Sequence, residues 1–379
     1  MSSQLRDRQP NRLAMSRLLL LAVCLLGNSF LTGNAQSEDR IILRNLQRIK
    51  GHEIKSIDVD GVKLDDGRVI TWDRIETAQV ESVSQEEFDG YMQRLSNPLF
   101  RIRLRLVNGD DLEALKYAEQ MFPVYQPRDG ELSRLVCAAL VRGRISAGLR
   151  EQSVVAYLYY LSKTPQAENE ENARPSYELS VDSKSRIFDD LMPVWFDSAA
   201  AAKQVPDLIE ALRSVKNYPR QFHVYTGSLA IAAGDLENAK KAISALSDSD
   251  PVQAELKQLL QAQMEISEKK NAEGIKRLAP LTESAVPNIR ALALYWTGVA
   301  LSNGTNRERL EGALFLLRIP ASYGNQFPDL AAAALYQASQ AVDFGKDDGQ
   351  ATALRQELLR RYPHSWHGKL LTQTGLGKD

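Results

Sequence analysis

The stretch Tyr225-Thr-Gly-Ser-Leu-Ala-Ile-Ala-Ala-Gly-Asp-Leu-Glu-Asn-Ala-Lys-Lys-Ala-Ile-Ser-Ala-Leu246 decides the fold of this chain. In each half of the stretch the apolar and small residues recur at intervals of three and four, the spacing of one face of an α-helix. Gly234 and Asp235 separate the two halves and are residue types that favour turns. The stretch therefore predicts two short helices joined by a tight turn, which is an antiparallel helical hairpin.

The same pattern returns downstream at a nearly constant period. Small residues recur at intervals of 35, 36 and 40, at Gly227, Ala262, Gly298 and Ala338. Prolines recur in the same phase at intervals of 36, 41 and 35, at Pro251, Pro287, Pro328 and Pro363. Self-similarity at such a period is typical of a repeat protein, in which each unit covers the open apolar face of its neighbour.

This pattern resembles the tetratricopeptide repeat (TPR) family, whose repeat is a hairpin of about 34 residues. By that resemblance Gly227 and Ala239 are the small residues at the contact between helices, and Pro251 closes the repeat. The resemblance covers residues 220–370 well and residues 95–165 in outline. It implies a mainly α fold, a right-handed α-α superhelix (TPR-like solenoid), with a concave groove that binds proteins or peptides.

The TPR resemblance also implies candidate binding residues. The sixth position of the first helix in successive repeats is Tyr225, Leu260, Trp296 and Tyr336. Aromatic side chains there would grip a partner segment, because Tyr and Trp supply a large contact area at low entropic cost. The alternative is that these side chains pack between neighbouring helices. The repeats are degenerate, since His223 stands where the family usually has Trp.

The N-terminal part of the chain has a different periodicity. Between Glu53 and Val80 short alternating apolar runs are separated by Asp60-Gly61 and Asp66-Gly67. Asp-Gly between such runs is a strong hairpin signal, because both residues tolerate a positive φ. We expect a small β module at residues 36–84, a β-meander similar to the SH3-like or LSm-like barrels. Turn chemistry accounts for its acidic residues, which lack the order of a calcium-binding loop.

The first 35 residues resemble a secretory signal peptide. Basic residues precede the apolar run at 18–26, and Gly33-Asn34-Ala35 supplies the small residues for a signal cleaved near Ala35. The run is shorter than the roughly 20 residues of a membrane-spanning helix, so we expect an exported mature chain without a transmembrane span. Lipidation at Cys24 is not expected, because the branched Val23 precedes it instead of a small residue.

These observations divide the chain into a signal peptide at 1–35, a small β module at 36–84, weakly repeat-like helical hairpins at 85–165, a polar linker at 166–190, TPR-like helical repeats at 191–372 and a tail at 373–379. The formal net charge is −1, and removing the leader leaves 43 basic and 47 acidic residues. This mildly acidic balance does not suggest a nucleic-acid partner. Cys137 is the single cysteine after the leader, so we expect a buried thiol and no intramolecular disulfide.

The sequence shows no catalytic or cofactor-binding constellation. His364 and His367 have an i,i+3 spacing that suits a metal, but no Cys or Glu accompanies them. We therefore expect no catalytic, cofactor or metal site, and interpret the chain as an exported, non-catalytic scaffold for protein–protein interaction in the bacterial periplasm or cell envelope. The alternative is an exported α/α-barrel polysaccharide lyase or glycoside hydrolase, which would need a carboxylate pair in a closed cavity.

Overall fold

The computed structural model describes residues 39–163, 177–343 and 349–375. The predicted signal peptide at 1–35 lies outside these residues, and so does the first part of the predicted linker. No helix in the three described ranges is both long and apolar enough to cross a membrane.

The described residues form two compact units. The smaller, which we call the β unit, comprises residues 39–70 and 75–90. The larger, the helical unit, comprises residues 71–74 and 91–375. The expected mainly α fold with a small antiparallel sheet region near the N-terminus is confirmed.

The β unit holds six short strands in two antiparallel sheets, ordered β2-β1-β6 and β3-β4-β5. The strands are β1 (Arg40–Leu43), β2 (Arg48–Ile49), β3 (Ile54–Ile57), β4 (Val62–Leu64), β5 (Val69–Ile70) and β6 (Ile75–Gln79). Both predicted Asp-Gly hairpins are confirmed: Gly61 and Gly67 have φ of 152° and 85° in the turns on either side of β4. The alternating pattern is recognised only from Glu53 onward, so β1 and β2 lie in the predicted module but are not predicted as individual strands.

A buried carboxylate ties parts of the β unit together. Asp39 accepts hydrogen bonds from the backbone N–H groups of Ile54 at 2.8 Å, Glu81 at 2.7 Å and Ser82 at 3.1 Å. Burial opposes ionisation of this carboxyl, but the donated hydrogen bonds outweigh it and lower the pKa of Asp39. The side chain thereby satisfies N–H groups from two distant loops.

The helical unit consists of consecutive helices joined by short connections. The first helix, α1 (Gln85–Tyr91), belongs almost entirely to the β unit. The helices of the helical unit are α2 (Asn97–Val107), α3 (Asp111–Tyr125), α4 (Glu131–Ser146), α5 (Ser153–Ser162), α6 (Ser198–Ser214), α7 (His223–Ala232), α8 (Leu236–Ala245), α9 (Pro251–Ser267), α10 (Asn271–Leu278), α11 (Pro287–Ser302), α12 (Asn306–Tyr323), α13 (Pro328–Val342), α14 (Gly349–Arg361) and α15 (Trp366–Thr374). Helices that follow one another pack together, for example α7 on α8, α9 on α10 and α11 on α12.

Local sequence explains where these helices start. Asp235 accepts a hydrogen bond from the N–H of Asn238 and caps α8, and Thr305 and Glu308 form a capping box at α12. Three of the prolines assigned to repeat ends instead begin helices: they are the first residues of α9, α11 and α13. Proline is favoured there because the first helical N–H has no intrahelical acceptor.

The glycines that recur in phase lie where helices touch. A Cβ added at Gly227 would lie 2.6 Å from Leu260 Cδ1, and one at Gly298 would lie 2.5 Å from Leu316 Cγ. Both distances are shorter than van der Waals contact, so only glycine permits these helices to approach as they do. The spacing therefore identified real contacts between helices.

Residues 177–197, which we call the internal segment, include the described part of the polar linker predicted at 166–190. The segment has little regular structure, yet its apolar side chains are at most 4% exposed at Tyr177, Leu179, Ile187, Phe188, Leu191, Met192 and Val194. The helices before and after it belong to one compact unit rather than to two blocks. Most apolar side chains in the described part of the expected linker are therefore buried, whereas Ser180, Ser183, Lys184 and Arg186 are exposed.

Candidate functional site

Tyr225, the first residue of the predicted aromatic ladder, is fully buried. Its ring centroid lies 5.1 Å from that of Tyr157 and 5.5 Å from that of Phe222. Its hydroxyl accepts a hydrogen bond from the backbone N–H of Phe188 at 3.0 Å. The hydroxyl group therefore binds the internal segment of its own chain, and in this arrangement the ring does not face a partner.

The other ladder positions have different surroundings. Leu260 is buried against Gly227. Trp296 is half-buried, and its indole N–H has no hydrogen-bond acceptor among the described residues. Tyr336 is also half-buried and packs on His367, with ring centroids 4.9 Å apart. The structure thus leaves Trp296 and Tyr336 partly accessible, and it does not join them with Tyr225 in one exposed row.

Arg150 holds the internal segment in place. Its guanidinium donates hydrogen bonds to the backbone carbonyls of Asp190 at 2.8 Å, Met192 at 2.6 Å and Val194 at 3.2 Å. It also forms an ion pair with Asp329 at 2.9 Å. The side chain of Arg150 is only 5% exposed, so a buried charge is balanced by four acceptors.

Tyrosines and an amide bind the rest of the segment. The Tyr160 hydroxyl accepts from the N–H of Leu179, and the Tyr157 hydroxyl donates to the carbonyl of Arg186 at 2.8 Å. Asn288 donates to the carboxylate of Asp189 at 3.1 Å. Irregular backbone is rarely buried unless its polar groups are paired, and these side chains provide the pairing.

A cavity of about 490 Å³ opens between the end of α4, the internal segment and the start of α13 and α15. Its lining includes both signs of charge and aromatic rings, among them Asp111, Arg142, Arg150, Asp190, Phe196, Asp329, Arg361, Trp366 and Lys369. Two of the carboxylates are neutralised within the protein, since Asp111 pairs with Arg142 at 2.9 Å and Asp329 pairs with Arg150. The cavity thus combines charged side chains with a mainly apolar lining that includes an aromatic wall.

Asp190 is the lining carboxylate without an ion pair among the described residues. Partial loss of solvent around the carboxyl and the negative charge of Asp329 raise the pKa of Asp190, while the charge of Arg150 opposes that rise. The side chain still reaches solvent in the cavity. It is therefore the free acidic group that a bound molecule would meet.

The aromatic wall is a cluster around a neutral histidine. The His367 ring lies 4.4 Å from that of Phe196 and 4.9 Å from that of Trp366. Burial, reinforced by the nearby charge of Arg150, lowers the pKa of His367 to about 3. His367 is buried whereas His364 is exposed, so the two histidines with i,i+3 spacing lie in different environments.

One mixed group of potential metal ligands lies in the β unit. His52 Nδ1 is 2.9 Å from Asp65 Oδ1 and 3.5 Å from Asp66 Oδ2, on an exposed surface near the β4–β5 turn. Asp66 also accepts hydrogen bonds from the backbone and side chain of Arg68. The imidazole and the guanidinium already satisfy these carboxylates, so the contacts are those of a hydrogen-bonded turn.

Cys137 lies in the core of α4, as the sequence predicts. Burial raises the pKa of its thiol to about 12, so the sulfur is protonated at physiological pH and is a poor nucleophile. Paired charges and aromatic side chains are instead gathered around the cavity. No protein-family model, curated protein or solved structure matches this chain.

Proposed function

We propose that this chain is an exported, non-catalytic TPR-like scaffold that binds another protein in the periplasm or cell envelope of a bacterium. The observation that carries the proposal is the close helix contact at the repeat-phased glycines Gly227 and Gly298. Stacked hairpins of this kind form surfaces that bind proteins and seldom carry out catalysis. The proposal includes a right-handed superhelical arrangement of the hairpins and an SH3-like or LSm-like form for the β unit.

The partner would enter the cavity at α13 and α15. The internal segment already occupies the contacts of Tyr225, so that residue serves the protein's own core. The cavity offers the Trp366 ring beside the cations Arg361 and Lys369 and the free carboxylate of Asp190. Aromatic and arginine side chains in a partly enclosed pocket are the usual centres of protein interfaces. We expect a partner segment with one large apolar side chain flanked by charges of both signs.

Site-specific photo-crosslinking tests this assignment. A photoreactive residue at Lys369, on the rim of the cavity, is compared with one at Lys240, an exposed position on α8. In envelope extract we expect one protein adduct at position 369, and its loss when Trp366→Ala is added to the same chain. Equal labelling at both positions, or an adduct that survives Trp366→Ala, would contradict the cavity as the binding site.

The exported location is tested separately by expressing the full chain in a bacterium and fractionating the cells. We expect the protein in the periplasmic or envelope fraction with a new N-terminus at Gln36. A chain that stays in the cytoplasm with residues 1–35 attached would exclude the export part of the proposal and would leave the binding assignment untouched.

The alternative function, an α/α-barrel polysaccharide lyase or glycoside hydrolase, rests on Asp190. A glycosidase needs two free carboxyl groups across the scissile bond, and the neighbouring carboxylates Asp111 and Asp329 are both in ion pairs. Incubation with neutral and acidic polysaccharides, followed by assay of reducing ends and of unsaturated products, tests this alternative. Turnover that disappears in Asp190→Asn would replace the scaffold proposal with an enzyme.

A further inference from the structure

One face of the sheet β2-β1-β6 collects basic side chains. The register pairs are Arg40 with Gln79, Ile42 with Thr77, Ile41 with Ile49 and Ile42 with Arg48. Because alternate residues of a strand point to opposite faces, Arg40, Ile42 and Arg48 share one face. Continuing the register by one residue places Lys50 opposite Arg40. Three cations therefore stand around Ile42 on a surface a few residues wide.

This face is concave. The register of β1 against β6 shifts between Ile42 and Leu43, and such a bulge bends a strand and increases its twist. A cavity of about 300 Å³ lies over the sheet, lined by Arg40, Ile42, Arg48, Lys50, Thr77 and Gln79 among others, and no carboxylate is part of its lining. The cavity thus brings three cationic side chains beside Ile42.

The cations of this face lack the ion pairs that other cations of the β unit form within the described part of the chain. Arg40, Arg48 and Lys50 form no ion pair among the described residues. Other cations of the β unit do, as in the pairs Arg44–Glu76 at 2.7 Å, Lys55–Glu53 at 2.7 Å and Arg68–Asp66 at 2.5 Å. Like charges opposite each other on paired strands destabilise a sheet, which makes the arrangement of Arg40 and Lys50 unfavourable in the isolated protein. An anion bound between them would remove that repulsion.

The acidic residue nearest in sequence cannot serve as this anion. Asp39 directly precedes Arg40, but its carboxylate is buried and accepts hydrogen bonds from Ile54, Glu81 and Ser82. Within residues 39–163, 177–343 and 349–375, no carboxylate lines the cavity over this face.

The tip of the β1–β2 hairpin supplies a second, independent observation. Leu46 is 78% exposed, more than any other large apolar side chain among the described residues. It lies in the turn that leads to Arg48 and has a φ of 67°, a conformation that is unfavourable for a leucine. An apolar side chain held out of the turn in this way, two residues from Arg48, is the arrangement that enters the boundary between lipid headgroups and acyl chains.

We propose that this face of the β unit docks on an anionic lipid surface, with headgroup phosphates between Arg40, Arg48 and Lys50 and with Leu46 inserted beside them. A single-stranded nucleic acid is a poorer fit, because its bases stack on aromatic rings and no aromatic side chain lines the cavity. A soluble polyanion would account for the cations but not for Leu46. This docking would hold the protein at a membrane and does not depend on the proposed protein partner.

The test is sedimentation of the mature chain with vesicles of phosphatidylcholine alone or mixed in equal parts with phosphatidylglycerol. We expect binding only to the anionic vesicles, and weaker binding as salt shortens the electrostatic range. Each basic residue near such a surface contributes about fivefold to binding, so Arg48→Glu with Lys50→Glu weakens it by at least about 25-fold. The control Lys55→Glu with Lys63→Glu makes the same change in net charge on the other sheet and has a much smaller effect.

Leu46→Asn separates a lipid surface from other anions. Asn tolerates a positive φ, so this variant folds at least as well as the parent, and we expect about fivefold weaker vesicle binding. Val69→Asn, at an exposed position on β5, is its control. Equal losses in both charge-reversed variants would overturn the proposal. So would unchanged vesicle binding by Leu46→Asn together with equally tight binding to dextran sulfate, which would identify a site for soluble polyanions.

Discussion

The helices of the helical unit and the internal segment both bury apolar side chains, but by different means. In the helices the backbone satisfies itself, and small residues such as Gly298 let apolar faces meet. In residues 177–197 the backbone has few partners of its own, and Arg150, Tyr160 and Tyr225 supply them from distant helices. The difference shows that an aperiodic, partly charged stretch can bury its apolar side chains when side chains from distant helices pair its backbone.

Replacement of Arg150 should have the largest effect on stability, because this side chain pairs three backbone carbonyls of the internal segment. Arg150→Ala leaves three carbonyls and the Asp329 carboxylate without their donor, and we expect the free energy of unfolding to fall by about 3–5 kcal/mol. Urea unfolding followed by circular dichroism measures the change. Arg213→Ala on the exposed face of α6 is the control, with an expected change within about 0.5 kcal/mol. Similar losses in the two variants would show that the guanidinium does not hold the segment.

Acidification should lower the free energy of unfolding through His367, which packs on Phe196 of the internal segment. The pKa of His367 is about 3 in the folded protein, against an ordinary value of 6.5, so below pH 6.5 the unfolded chain binds a proton that the folded chain does not. Stability is therefore complete above pH 6.5 and falls on acidification by up to about 1.4 kcal/mol per pH unit until the pH nears 3. Urea midpoints measured from pH 7 to pH 4 test this, with His367→Phe as the comparison. A slope that is unchanged in the variant would assign the acid sensitivity to other groups.

Substitution of glycine tests the close contact between helices α11 and α12. In Gly298→Ala the new Cβ would lie 2.5 Å from Leu316 Cγ and 2.9 Å from the carbonyl oxygen of Gly312, and we expect a loss of about 1–3 kcal/mol. Gly90→Ala in α1 meets no atom within 4 Å and should instead gain about 0.5–1 kcal/mol. A stabilised Gly298→Ala would mean that the two helices do not require this close approach.

The smallest expected effect concerns the hydroxyl group of Tyr225. Tyr225→Phe keeps the ring contacts but removes the acceptor of the Phe188 N–H, which should lower the free energy of unfolding by about 1–2 kcal/mol. Tyr336→Phe removes a hydroxyl from a half-buried ring and should change stability by less than about 0.5 kcal/mol. Hydrogen exchange at the amide of residue 188 provides a direct readout, since protection should fall only in the first variant.

Local patterns predicted much of the fold. The Asp-Gly turns define the β3-β4-β5 hairpins, because the chemistry of a turn resides in two adjacent residues. The spacing of small residues identified contacts such as that of Gly227 with Leu260. The prolines marked the right places but were assigned to the ends of repeats rather than to the first turns of the next helices.

Local sequence patterns could not predict the internal segment or the cavity. The partners of residues 177–197 come from positions as distant as Arg150 and Asn288, and no spacing rule connects them. Trp366 and Asp329 reach one cavity only because the fold brings α13 and α15 to the end of α4. The ladder positions followed the TPR resemblance, which cannot indicate that the chain's own segment binds Tyr225.

The ion pair between Arg150 and Asp329 joins residues 179 positions apart in the helical unit. A simple array of repeats folds by propagation from neighbour to neighbour, and its stability is a sum over adjacent units. Here the early helices gain a partner only after α13 has formed, so contacts of long sequence separation must close before the interior is complete. Such a topology slows folding and couples the early helices of the helical unit to the late ones. Removal of the last three helices should therefore unfold α4 and α5 as well, in a single cooperative transition.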